Sequence, residues 1–207
     1  MQKVVYTTLL LFFSTILLNA QTADEIIKHF FGRLEHETLV SRFSATITDS
    51  KGLNPMTQNG FAEIRGEVFH VRIWDMELAF DGVTLASYNG DTNELTLSAP
   101  TEEELQQGNP LLYAKAMLEL YNARFASQQP QGITIIELIP KLAGSQIQGI
   151  TIQLGKTDLL PQRISLRETN THTNIIFQDQ QWSELPPVTT IPTDIEGKES
   201  PFINDLR

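Results

Sequence analysis

Between Asn59 and Leu97 the chain is written almost entirely in period two, and this limits the fold more than any other feature. Phe69, Val71 and Ile73 alternate with His70 and Arg72; Met76, Leu78 and Phe80 alternate with Glu77 and Ala79; Leu95 and Leu97 flank Thr96. Successive side chains on a strand point to opposite faces, so each run has one apolar face. Arg65-Gly66-Glu67, Asp81-Gly82 and Asn89-Gly90-Asp91 separate the runs. Residues of these types reach positive φ at little cost, so each cluster marks a reversal rather than a crossover. The stretch reads as a meander of short antiparallel strands whose apolar face needs a cover.

Two segments are candidates for that cover. Thr22-Ala23-Asp24-Glu25 is a capping box, and Ile26, Ile27, Phe30, Phe31 and Leu34 follow at helical spacing. Pro100 to Glu104 opens a short helical turn that ends near Gly108, and Asn109-Pro110 then starts a second helix, with Asn as cap and Pro at the first helical position. That helix is expected to run to Phe125, with Leu111, Ala114, Leu118, Tyr121 and Phe125 on one face and Leu112, Ala116 and Leu120 beside them. It is more apolar around its girth than a helix outside a sheet requires. It is therefore expected to insert between sheet and solvent, with Leu111, Leu118 and Tyr121 turned into the concave side.

Other strands are expected at Ser41 to Thr48, Ile133 to Ile139, Ile147 to Leu154, Gln162 to Glu168 and Thr173 to Phe177. After Trp182 the tail carries Pro186, Pro187 and Pro192, which suits an extended edge segment. Phe202-Ile203 could close the chain with a last strand. The fold class is α+β, with about ten or eleven strands and two helices.

The first twenty residues read as a secretory signal peptide, with Lys3 ahead of the charge-free run Val4 to Leu18 and cleavage after Ala20. Residues 21–207 then form a single domain outside the cytoplasm. The chain has no cysteine, so neither an acylated cysteine anchor nor a disulfide is available. Its net charge is −10, and loss of Lys3 makes the remainder one unit more negative, which disfavours nucleic acid and anionic membranes as partners.

Motifs for catalysis are missing. His29, His36, His70 and His172 share no metal-ligand spacing, and the chain has no G-x-S-x-G elbow, phosphate loop or cysteine nucleophile. Glu102-Glu103-Glu104 stands at a helix start, where carboxylates serve the helix dipole. Nothing points to a cofactor, a metal or an enzyme.

Several stretches resemble the LolA-type periplasmic carriers of outer-membrane lipoproteins. These are Asn59-Gly60-Phe61-Ala62-Glu63-Ile64-Arg65, Phe69 to Trp74, the hairpin Asp81-Gly82-Val83-Thr84-Leu85 with Tyr88-Asn89, and Asn109-Pro110-Leu111-Leu112. Phe43-Ser44-Ala45 falls where that family has its first strand, and Phe202 to Leu206 resembles the closing strand of its Bacteroidetes-type members. The resemblance implies an unclosed antiparallel β-barrel with helices across its concave face. It also implies a monomeric carrier of the acyl chains of lipoproteins, working between an inner-membrane exporter and an outer-membrane acceptor. A lipid- or glycolipid-sensing regulatory module on the same half-barrel is the alternative. The residues implied for the cavity and its lid are Phe30, Phe43, Phe69, Val71, Trp74, Leu78, Phe80, Leu111, Leu118 and Tyr121. In the best-known carriers a basic residue before a proline at the end of the second strand ties the lid shut. Here that position reads Arg65-Gly66-Glu67, so Arg65 is either that latch displaced by one or an outward-facing strand arginine.

Overall fold

The computed structural model describes residues 21–102, 104–105, 109, 111, 115, 118–191 and 199–207. The proposed signal peptide therefore lies outside the described residues, as do Glu103, Gly108, Pro110, Leu112, Ala114, Ala116 and Pro192.

Helix α1 (Ala23–His36) begins at the expected capping box: the Glu25 amide donates to Thr22 Oγ1, and Glu25 Oε2 accepts from the Thr22 amide. Its buried face is Ile27, Phe30, Phe31 and Leu34, the stripe set by the spacing. Twelve strands follow: β1 (Thr38–Asp49), β2 (Met56–Arg65), β3 (Val68–Ile73), β4 (Met76–Phe80), β5 (Leu85–Asn89), β6 (Glu94–Ser98), β7 (Tyr121–Phe125), β8 (Ile133–Pro140), β9 (Ile147–Gly155), β10 (Pro161–Glu168), β11 (Thr171–Ser183) and β12 (Phe202–Asp205). They make one sheet in the order β12-β6-β5-β4-β3-β2-β1-β11-β10-β9-β8-β7. Every neighbouring pair is antiparallel except β12 on β6. The edges β7 and β12 do not meet, so the barrel is unclosed.

Strand β1 is the spine. Its register to β2 (Phe43 opposite Gly60) and to β11 (Phe43 opposite Phe177) joins the meander to the second half of the chain. Helix α1 packs against β7 on one flank and β1 and β2 on the other, which lays it across the inner face. The Gly66 amide donates to the last-turn carbonyl of Leu34 at 2.8 Å, and the Arg33 guanidinium stacks over Trp182 while donating to the Asp158 carbonyl.

Three details differ from the sequence reading. The described residues hold twelve strands, where about ten or eleven are expected. The helix expected to continue to Phe125 gives way to a 3-10 turn (Leu118–Leu120) and then to edge strand β7. In β7, Tyr121 and Ala123 face the core while Asn122 and Arg124 face out, so local alternation overrides the helical spacing. Finally, β3 and β4 are joined by a two-residue turn, Trp74-Asp75, that contains no glycine.

The tail forms a strap on the outer face of the meander. Thr38 Oγ1 donates to the Leu185 carbonyl, the Val188 amide donates to Glu63 Oε2 at 2.8 Å, and Ile191 is buried among Ala79, Ala86, Tyr88 and Leu95. Beneath it, His70 lies between Glu77 Oε1 (2.6 Å from Nε2) and Glu63 Oε2 (3.8 Å from Nδ1).

Candidate functional site: an apolar cavity in the meander half

The register decides which residues share the inner face. Ala62 stands opposite Val71, Val71 opposite Leu78, and Ala45 opposite Ile175. These cross-strand rows enclose a cavity of about 220 Å³ lined by Phe43, Ala45, Ala62, Ile64, Val71, Ile73, Leu78, Leu111, Thr173, Ile175 and Phe177. Among the described lining residues Thr173 alone is polar. A lining of this kind can hold hydrocarbon.

Small residues make the space. Ala45 and Ala62 leave room that larger side chains would fill, and Gly60 lets the Phe43 ring lie against the β2 backbone. A Cβ at Gly60 would press into that ring and come within 2.6 Å of the Arg72 carbonyl oxygen. Leu111 closes the cavity from the chain segment between β6 and β7, and it is only 1% exposed. Its amide donates to Asn109 Oδ1, the capping bond expected of Asn109. An ion pair of 2.6 Å between Lys115 Nζ and Glu35 Oε1 ties the same segment to α1. The Lys115 ammonium holds the Glu35 carboxyl below its ordinary range.

Of the residues named from sequence, Phe43, Val71, Leu78 and Leu111 line this cavity. Phe30, Phe69, Phe80 and Tyr121 belong to the packed core around it, and Leu118 packs against that core from partial exposure. Two assignments are corrected. Trp74 is 64% exposed and neither lines the cavity nor joins the core, because the turn it occupies points it outward. Arg65 follows the inward Ile64, so strand alternation turns it to the outer face, where it donates to the Glu184 carbonyl at 3.3 Å. Among the described residues it ties β2 to the tail. Ala45, Ala62, Ile64, Ile73, Thr173, Ile175 and Phe177 were not singled out from sequence. Their signal was the pairing register, which a sequence shows only once turns and bulges are placed.

No known protein family's profile matches this chain, and no curated protein matches it. Solved structures do. An uncharacterised conserved protein from Thermus thermophilus is similar over 89% of this chain and 99% of its own, with a TM-score of 0.53 at 13% identity. The LolA superfamily protein NE2245 from Nitrosomonas europaea matches over 81% of this chain and 96% of its own, with a TM-score of 0.39 at 10% identity. The Mycobacterium tuberculosis lipoprotein LppX matches over 81% and 98%, with a TM-score of 0.46 at 12% identity. At these identities the likeness is one of fold alone.

Proposed function

We propose that this protein is a periplasmic carrier that shields acyl chains of lipoproteins inside the unclosed barrel. The observation that carries the reading is the apolar cavity between the meander, β11 and Leu111. Ordinary domain interiors are close-packed, with few voids larger than a water molecule. A cavity of about 220 Å³ walled almost wholly by hydrocarbon is room for a ligand of the same nature. If a methylene takes about the 30 Å³ of a water molecule, roughly seven fit, and each contributes about 0.8 kcal/mol on leaving water. This lies below the about 300–1,000 Å³ of pockets that enclose a drug-sized ligand. Longer chains therefore require Leu111 to move outward, away from the sheet. A carrier that must release its cargo is served by a cover whose ties open at modest cost, as the exposed Lys115–Glu35 ion pair does.

The test is displacement of a fluorescent fatty-acyl probe from the purified mature chain. Saturable, stoichiometric binding that is competed by acylated peptide supports the reading. A folded protein that fails to bind the probe at micromolar concentrations defeats it. Crosslinking in cells separates carrier from sensor: a carrier traps many acylated lipoproteins, a sensor one regulatory partner.

A further inference from the structure

Trp74 is the residue that the cavity does not explain. It occupies the first position of the two-residue β3–β4 turn at φ 53°, with Asp75 outside the positive-φ region. Turns of that pattern ordinarily place glycine there, and a bulky side chain at positive φ is uncommon. The turn is braced rather than loose. The Gly90 amide donates to the Asp75 carbonyl at 2.7 Å, and a Cβ at Gly90 would crowd Asp75 at 3.0 Å. The backbone thus holds a tryptophan rigidly in water, where it makes no ring contact among the described residues.

Its neighbours at this end of the barrel are also apolar and exposed. Ile47 at the end of β1 pairs with Met56 at the start of β2, Met76 begins β4, and Leu53 sits in the β1–β2 loop. Ile73 lines the cavity and pairs with Met76, so on β3 and β4 the apolar lining runs out to this rim, whereas on β2 the inward Gln58 stands between Gly60 and Met56. The charged residues at this rim are Asp49, Lys51, Asp75 and Asp91, with Arg72 opposite Glu77 in the adjoining strands and His172 facing Asp49, which leaves an acidic balance. Asp49 is occupied by the Lys51 and Leu53 amides and by Asn54. Such a rim suits an electroneutral surface and repels an anionic one.

We infer that this end of the barrel, with Trp74 as anchor, docks on the surface of a zwitterionic phospholipid bilayer, so that an acyl chain passes along a continuous apolar path between bilayer and cavity. Tryptophan and methionine fit the occupant, since an indole sits at the boundary between headgroup and hydrocarbon and methionine adapts to an irregular surface. The inference goes beyond the carrier reading, and vesicle docking is measurable without any cargo.

The experiment is flotation of the mature chain with phosphatidylcholine vesicles, with and without phosphatidylglycerol, together with quenching of tryptophan emission by brominated phosphatidylcholine. Trp182 packs on Phe30 and beneath Arg33 beside α1, so it serves as the internal control. The wild type should float with neutral vesicles, and brominated lipid should quench it. Trp74→Phe should lose the quenching, and Trp74→Ser should bind vesicles about tenfold more weakly, the order expected when one large aromatic leaves an apolar contact. Both variants should keep the wild-type near-ultraviolet circular dichroism of the core and the wild-type affinity for the acyl probe in solution. Absence of flotation, binding confined to anionic vesicles, or quenching that persists in Trp74→Phe would each overturn the inference. So would loss of acyl-probe affinity in Trp74→Ser. Failure of the wild type to bind the probe would sink the carrier reading alone and leave the docking result standing.

Discussion

The two halves of the inner face are built differently although they belong to one sheet. On β8, β9 and β10 the inward residues are Thr134, Ile136, Leu138, Ile150, Ile152, Leu154 and Ile164, and of these Ile136, Ile152 and Leu154 have no exposed surface. This half is a dry, branched-aliphatic wall beside α1. On β1 to β4 the inward rows mix aromatic, branched and very small residues, with Phe43, Gly60, Ala45 and Ala62 beside Val71 and Leu78. That half bounds a cavity. Strand pairing is continuous across both, so residue size rather than topology decides which half packs and which half contains.

This contrast can be broken by substitution, most severely in the dry half. Replacing Ile152 with Ala should cost about 2–5 kcal/mol of stability in urea titration, because a fully enclosed side chain leaves a void its neighbours cannot fill. Ile175→Ala on the cavity wall should fall at the low end of that range, since Ile175 already lacks neighbours on one side. Equal losses at the two positions would remove the distinction between the halves.

Filling and charging the cavity should act on binding more than on folding. Ala62→Leu should lower acyl-probe affinity by about tenfold or more while costing less than the about 1–3 kcal/mol typical of overpacking a dense core. Leu111→Glu would place an unpartnered carboxylate against the hydrocarbon lining, which costs several kcal/mol unless the segment swings out. The expected outcome is an unchanged far-ultraviolet β signal, loss of probe binding and faster proteolysis between β6 and β7. Global unfolding would show that Leu111 belongs to the dry core.

Acid should loosen the containing half first, as a smaller effect. Asp81 is held below its ordinary value by the Thr84 and Val83 amides, and Asp49 by the amides of Leu53 and Lys51 and by the Asn54 side chain. Asp205 in β12 is lowered to about 2 by Arg207. Asp49 ends β1, and the other two lie on its meander side. A carboxylate depressed in the folded state stabilises above its unfolded pKa of about 3.9, and that contribution is lost as pH falls through the folded value. Between about pH 4 and about pH 2, hydrogen exchange should therefore rise at the β1–β2, β4–β5 and β12 amides before it rises in β8 to β10.

What could be read in advance followed the strength of local signals. The Thr22 capping box, the Gly66 and Gly82 turns and the alternation around Phe69 to Phe80 each have a single local solution, and the structure adopts it, whereas in the β5–β6 turn Asn93 rather than Gly90 takes the positive φ. Tyr121 to Phe125 misled because Leu111 to Leu120 is apolar all round and suggested a helix without an end. The alternation Tyr121-Asn122-Ala123-Arg124-Phe125 was present in the sequence but was outweighed. Trp74-Asp75 escaped because it uses no turn-forming glycine. Ala45 and Ala62 escaped because a small residue in an alternating strand carries no sign of what lies opposite, so the cavity became visible only with the register.

The central claim is that hydrocarbon enters the meander half and not the dry half. Its most direct test is paramagnetic broadening of methyl NMR signals by a nitroxide-labelled fatty acid bound to the mature chain. The account predicts selective loss of the signals of Ala45, Ala62, Val71, Ile73, Leu78 and Ile175, with Ile136, Ile152 and Ile164 retained. Broadening centred on Ile136 and Ile152, or confined to exposed methyls while those of Ala45 and Ala62 stay sharp, would contradict it.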